Sequence, residues 1–342
     1  MAPRRPTMND VAALAGVSLS TVSRVVNGDG AVRAGSVERV QGAIRALGYR
    51  RDHAASTLRR SDRASASVGI VFEDVSNPFF SSIHRGVEEV ARARGVLTFV
   101  ASSDEDPDRE RELVHGLCAR HVDGLIIAPV APNHAFLEAE LEGGVAVVFV
   151  DRPPAAIEAD AVLIDNPGAA AAAVDHLVAA GHGRIGFLGD REALFTARER
   201  LRGYRESLAR HGIPYDDALV RLGLADAGAS NAAAVELLDR PDSPTALLTS
   251  QNLVTVGAVH ALQKLGRHHE IALVGIDDVP MADAVEPRIT VVSQDPVALG
   301  RVAGEVLFAR LDGEDDPPRR VIVPTEFVVR GSGEIRPGGA RE

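Results

Sequence analysis

The sequence predicts an α/β protein: an N-terminal helix-turn-helix head, then a body of two doubly wound parallel-sheet subdomains. Three observations predict this. Residues 10–27, DVAALAGVSLSTVSRVVN, read as two short amphipathic helices meeting at a glycine. From residue 68 onward, short apolar runs alternate with helical periodicity in two successive sets. Charge divides the same way. Residues 1–60 hold ten arginines against four carboxylates, a formal +6, while the whole chain is −11 and the remainder therefore −17. Positive charge gathered on a small helical head is the footprint of phosphate binding. The acidic remainder reads as a solvated body.

In the head (1–50), Thr7 is placed to cap the first helix with Asp10 as its capping-box partner. Val11 and Leu14 are expected to form one apolar face. Gly16 marks a sharp turn, and Val17 is expected to plug the corner. Ser18 is placed to cap the second helix, with Val22, Val25 and Val26 facing inward at helical spacing. That leaves Leu19, Ser20, Thr21 and Arg24 facing out, with Asn27 at the helix end. In a helix-turn-helix, the first turn of the second helix reaches base edges in the major groove. A third helix is expected from a Ser36 cap through Val37, Val40, Ile44 and Leu47 to a stop at Gly48.

Residues 51–66 read as a hinge helix and linker. Asp52 is placed to cap AASTLRR, and Ser61–Ser67 is small and polar. Leu58 stands alone among Ser, Thr and Arg. A lone leucine on a cationic helix beside a DNA-reading head suggests a wedge between base steps in the minor groove. A helix that packs on the body is the competing expectation.

The body is expected to span 67–333, with a flexible tail at 334–342. Its first set of strands is VGIVFED, VLTFVASS, DGLIIAPV, VAVVFVDR and AVLIDN. Helices are expected from Pro78 to about Arg94, at 108–120 and near 133–142. After an Ala-rich helix at 168–180, RIGFLGD, ALVRLG, TALLTSQ and IALVGIDD form a second set. The fully apolar runs suit central parallel strands covered on both faces. One subdomain is expected at about 67–166 with 293–320, the other at about 167–292 with 321–333. A ligand cleft belongs at the carboxyl ends of such strands. The residues there are Asp74, Asn77, Phe79 and Phe80; Asp151 and Arg152; Asp190; Arg198 on the following helix; Gln251; and Asp277 with Asp278. Carboxylates, guanidiniums and amides around aromatic faces suit a small polyhydroxylated ligand. A helix cap or a surface ion pair is the alternative for any one of them.

Other chemistries are disfavoured. GHGRIG (181–186) has dinucleotide-loop spacing, but it follows a helix and opens a strand, the reverse of what phosphate binding needs. The adjacent His268 and His269 lack zinc-ligand spacing and are expected to be solvent-exposed. The one cysteine, Cys118, excludes an internal disulfide and is expected to be a buried small apolar residue. No nucleophile elbow or catalytic spacing stands out, so neither an enzyme nor a cofactor or metal is expected. No apolar run spans a bilayer, and no apolar signal core follows the basic N-terminus. The expected location is cytoplasmic.

DVAALAGVSLSTVSRVVN, then LGY and Leu58, closely resemble the headpiece and hinge of the LacI/GalR family of bacterial repressors. The body resembles that family too, in SNPFF (76–80), VDGLIIAP (122–129), VDHLVAAGHGRIGFLGD (174–190), ARERLRGY (197–204), PTALLTSQN (244–252), VGIDD (274–278) and SQDPVALG (293–300). The resemblance covers about 7–333. It implies a periplasmic-binding-protein-like effector body, a homodimer and a palindromic double-stranded DNA operator. By position, Leu19, Ser20, Thr21 and Arg24 match its DNA-contacting helix, and Leu58 its minor-groove leucine. Asn77, Asp151, Arg152, Arg198, Gln251 and Asp277 match positions that usually contact effector; Phe79 joins them as an aromatic face. Departures are Arg51-Asp52 where the family has Pro-Asn, Gln251-Asn252 where it often has Asn-Asp, a shortened loop at 266–270, and no tryptophan for sugar stacking. The tail has no leucine heptads, so no tetramerising helix is expected. The function expected is a DNA-binding transcriptional repressor gated by a small polar effector, a sugar. The alternative is a solute-binding module of sugar uptake, which the basic head and missing signal segment disfavour.

Overall fold

In the computed structural model, residues 6–27, 32–49 and 66–338 are described. Two units are resolved by their internal contacts, dividing at Ser65 and Ala66.

The head unit holds α1 (Met8–Ala15), α2 (Leu19–Asn27) and α3 (Ala34–Leu47). The Thr7–Asp10 capping box forms as its spacing predicts. Gly16 takes the left-handed conformation, φ 61°, and its N–H closes back on the Ala12 carbonyl. Val11, Ala15, Val22, Val40 and Ala43 make the small core, with Val17, Val25, Val26, Ile44 and Leu47 packed around it. Two expectations fail. Leu14 is 56% exposed, because Ala15 takes the inward position beside Val11. α3 starts two residues before Ser36, with Arg33 at the cap position and no side-chain cap.

The body folds as two parallel sheets, each covered by helices on both faces. The first takes the order β11-β5-β4-β3-β1-β2: β1 (Ser67–Phe72), β2 (Leu97–Ser102), β3 (Gly124–Ile127), β4 (Ala146–Val150), β5 (Asp160–Ile164) and β11 (Arg320–Val323). The second repeats it as β12-β10-β9-β8-β6-β7: β6 (Ile185–Leu188), β7 (Val220–Arg221), β8 (Ala246–Thr249), β9 (Ala272–Ile276), β10 (Thr290–Gln294) and β12 (Thr325–Val328), with β12 antiparallel. Helices α4 (Pro78–Ala93), α5 (Pro107–Cys118), α6 (Glu138–Glu142) and α11 (Pro296–Leu311) pack on the first sheet. Helices α7 (Asn166–Ala179), α8 (Phe195–Arg210), α9 (Ala227–Leu238) and α10 (Asn252–Leu265) pack on the second.

The chain crosses between the subdomains three times: after β5, after β10 and between β11 and β12. Three boundary expectations shift. Ser293 and Gln294 end a strand of the second sheet, and residues 321–323 pair with β5 in the first. The tail is anchored further than expected. Glu334 accepts from Gly331 N and Thr290 Oγ1, and His182 Nε2 meets the Ile335 carbonyl at 2.7 Å.

Helices α4 and α11 cross in close contact. A Cβ on Gly86 would strike the Val297 carbonyl and the Arg301 amide, and one on Gly300 would strike the Ile83 carbonyl. Only hydrogen fits at either point, so the two backbones touch. β2 departs from the covered-strand expectation. It is an edge strand, and Leu97, Phe99 and Val100 are 68%, 49% and 39% exposed.

Candidate functional site

The head presents the outward residues that its periodicity predicts. Leu19, Ser20 and Arg24 are exposed, and Thr21 is half-buried. Ser18 organises this first turn: its Oγ accepts from the Thr21 backbone N–H and meets the hydroxyls of Ser20 and Thr21 at 2.8 Å. Leu58 and the side chain of Asn27 lie outside the described residues.

In the body, the carboxyl ends of both sheets face one another across a cleft. Glu73, Asn77, Phe79, Phe80, Asp151, Arg152, Asp190, Thr196, Arg200, Gln251, Asn252 and Asp277 line it. The strand ends explain the placement. Asp151 follows β4 and Asp277 follows β9, both at positive φ, 68° and 69°. That conformation costs a non-glycine residue energy and holds because the surroundings over-determine it. Asn77 caps α4 through its carbonyl oxygen, which also accepts from Asn252 Nδ2 at 2.7 Å, joining the two subdomains.

Two buried arginines organise the charges. Arg152 donates to Glu73 Oε2 at 2.5 Å and to the Pro129 carbonyl, with Asp151 Oδ2 at 3.3 Å. Arg200 donates to Asp277 Oδ2 at 3.2 Å, to the Ser250 carbonyl at 2.5 Å and to Asn166 Oδ1 at 2.7 Å. Gln294 donates to the other Asp277 oxygen. Asn166 and Gln294 stand at two of the three crossings, so the Arg200–Asp277 pair is tied directly to the segments that must bend if the subdomains move. Burial pushes the Asp151 carboxyl up to about 6, against the pull of Arg152 and Arg200; Asp277 and Glu73 push the same way. Asp190 is raised, chiefly by burial.

Several expected site residues stand elsewhere. Arg198 is exposed and folds back on the Glu192 and Ala193 carbonyls. Arg200 takes the cleft position, since residues two apart on a helix point about 200° apart. The signal was present in the sequence. Ala197, Leu201, Tyr204 and Leu208 define the buried stripe of α8, and Arg200 falls on it. Asp74 caps the Ser76 turn, and Asp278 pairs with Arg330 at 2.6 Å. Glu73, Thr196, Arg200 and Asn252 are the cleft residues that the strand-end rule missed. Gln251 reaches the cleft but also caps α10 through Leu253 N.

Two residues outside the cleft also differ from expectation. His268 is half-buried against an apolar hollow lined by Leu262, Ile271 and Pro287. Cys118 is only half-buried, its thiol pushed up to about 12 by burial and by Glu140.

A helix-turn-helix head on a two-subdomain body with a polar cleft defines a ligand-responsive DNA-binding regulator. Residues 7–52 match the family model for bacterial regulatory proteins, lacI family, and residues 174–333 the periplasmic binding protein-like domain. The HTH-type transcriptional regulator CelR of Thermobifida fusca is 35% identical over 337 residues, spanning 96% of this chain and 99% of its own. The regulator GalR of Escherichia coli K12 is 32% identical over 328 residues, 95% of each chain. The crystal structure of the lac repressor dimer bound to operator and the anti-inducer ONPF aligns with a TM-score of 0.84 at 26% identity, over 96% of this chain and 99% of that one. The CelR–cellobiose complex aligns at 0.70 with 33% identity, over 96% and 100%. The chain belongs to the lacI family. It is a DNA-binding transcriptional regulator, not an enzyme. Among the described residues no helix is long and apolar enough to cross a membrane.

Proposed function

We propose that this chain is a cytoplasmic repressor that binds a palindromic operator as a homodimer and is gated by a small sugar in the cleft. One observation carries the gating. The Arg200–Asp277 pair lines the cleft and is bonded to Asn166 and Gln294 at two of the three crossings. A ligand touching this pair on one side and Asn77, Asp151 and Arg152 on the other binds the closed body better than the open one. Only that difference in affinity can shift the population. The hydroxyls of a sugar fit the carboxylate and amide acceptors, and Phe79 offers an apolar ring to its C–H face. Among the relatives, CelR is solved with cellobiose, and a LacI family regulator from Enterococcus faecium with ribose.

Leu19, Ser20, Thr21, Arg24 and Asn27 are assigned to the major groove and Leu58 to a minor-groove wedge. One head reads one half-site, so two chains are needed for a palindrome. The uncovered apolar edge at Leu97, Phe99 and Val100 supports a partner copy there. The lac repressor structure that this chain resembles is a dimer. The test selects operator DNA from a random pool with the full chain. Fluorescence anisotropy then measures affinity for it with and without cellobiose, ribose and galactose. Affinity that changes with a sugar, and loses that response in Gln294→Ala, is the expected result. Operator affinity indifferent to every sugar that binds the body would refute the gating.

A further inference from the structure

The cleft is not neutral. Four carboxylates line it, Glu73, Asp151, Asp190 and Asp277, against two guanidiniums, Arg152 and Arg200. Each guanidinium is already engaged by the protein: Arg152 by Glu73, Asp151 and the Pro129 carbonyl, and Arg200 by Asp277, Asn166 and the Ser250 carbonyl. An arginine that recognises a phosphate or carboxylate on a ligand must present its fork unopposed. Neither does. Asp151 shares Arg152 with Glu73, and Asp190 meets the exposed Arg191 at 3.7 Å, which Glu105 also engages. With Asn77, Gln251 and Asn252 beside them, these carboxylates form a wall richer in acceptors and negative charge than in free cations.

From this we infer that the cleft selects uncharged sugars and rejects sugar phosphates and sugar acids. The inference rests on the sugar reading of the cleft and narrows it to one charge class. The carboxylates accept from ligand hydroxyls, while a ligand phosphate would meet Asp151, Asp190 and Glu73 with no cation free to offset it. In a buried site such juxtaposition of like charge is strongly unfavourable. The upward displacement of Asp151 and Asp190, which burial mainly causes, agrees with a site poor in compensating positive charge.

The experiment is isothermal titration of the full-length protein with matched pairs: ribose and ribose 5-phosphate, glucose and glucose 6-phosphate, galactose and galacturonate, cellobiose and cellobionate. In every pair that binds, the neutral member is expected to bind at least roughly ten-fold more tightly. The double variant Asp151→Asn, Asp190→Asn, checked for an unchanged circular-dichroism spectrum, is expected to narrow that ratio by removing the two charges beyond the Glu73–Arg152 and Asp277–Arg200 pairs. A charged member that binds as well as its neutral partner, or better, overturns the charge inference and leaves the sugar reading standing. If no member of any pair binds, the sugar reading falls and this inference falls with it.

Discussion

Asp151 and Asp277 occupy the same station in the two halves of the body. Each follows the fourth strand of its sheet, each sits at a φ near +70°, and each backbone N–H donates at 3.0 Å to the next strand, to the Val162 and Val292 carbonyls respectively. The repeat places one buried carboxylate on each side of the cleft and an arginine beside each: Arg152 from the same turn, Arg200 from a helix. That asymmetry leads to the first prediction.

Arg200→Ala is expected to abolish the ligand response and to destabilise the body by about 3–5 kcal/mol, because Asp277 is left as a buried, partly uncompensated charge. Arg198→Ala is expected to change stability by less than about 1 kcal/mol and to leave ligand binding alone, since its exposed side chain serves only two loop carbonyls. Urea denaturation with calorimetric titration separates the two. Loss of ligand binding in the Arg198 variant alone would return the cleft position to that residue.

Asp151 gives the body a pH signature. Its carboxyl, at about 6, stands above the ordinary value of 3.8. Between those values the folded chain holds a proton that the unfolded chain has released. The contribution of this residue to stability is therefore most favourable at low pH, declines as pH rises through that window, and levels off above it. The decline is on the order of 3 kcal/mol. Asp151→Asn should flatten this part of the stability profile in denaturant titrations from about pH 4 to 7. An identical slope in variant and parent would show that the carboxyl is not displaced.

The α4–α11 crossing predicts a sharp steric penalty. Gly300→Ala places a methyl on the Ile83 backbone, which cannot move aside as a flexible side chain would. Overpacking of this kind costs about 1–3 kcal/mol or more. Differential scanning calorimetry should show the body transition lowered. A melting temperature equal to the parent's would mean that the helices separate without cost.

Arg24 is exposed on α2. Arg24→Ala should weaken operator binding. If the guanidinium neutralises one phosphate, the variant's log–log salt dependence should be shallower by about one. Weakened binding with an unchanged salt slope and relaxed sequence preference would assign Arg24 to a base edge instead.

The head motif, the order of strands and helices, and the strand-end carboxylates were legible in the sequence because they depend on short-range rules. Thr7 and Asp10 are three residues apart. Gly16 is the residue that tolerates a left-handed turn, and apolar periodicity marks each buried face. Which arginine enters the cleft was not settled by strand ends, because Arg200 is placed by the rotation of α8 against α7 and its sheet. Its partners Asn166, Ser250, Asp277 and the nearby Gln294 come from segments up to 128 residues apart, counted from Asn166 to Gln294. The exposure of Leu14 and of the β2 edge was likewise decided by what packs alongside, not by hydropathy. Sequence by itself determined which residue types were available at each strand end. Tertiary structure decided which of them share a buried space, and there charge balance, not identity alone, sets what the cleft can hold.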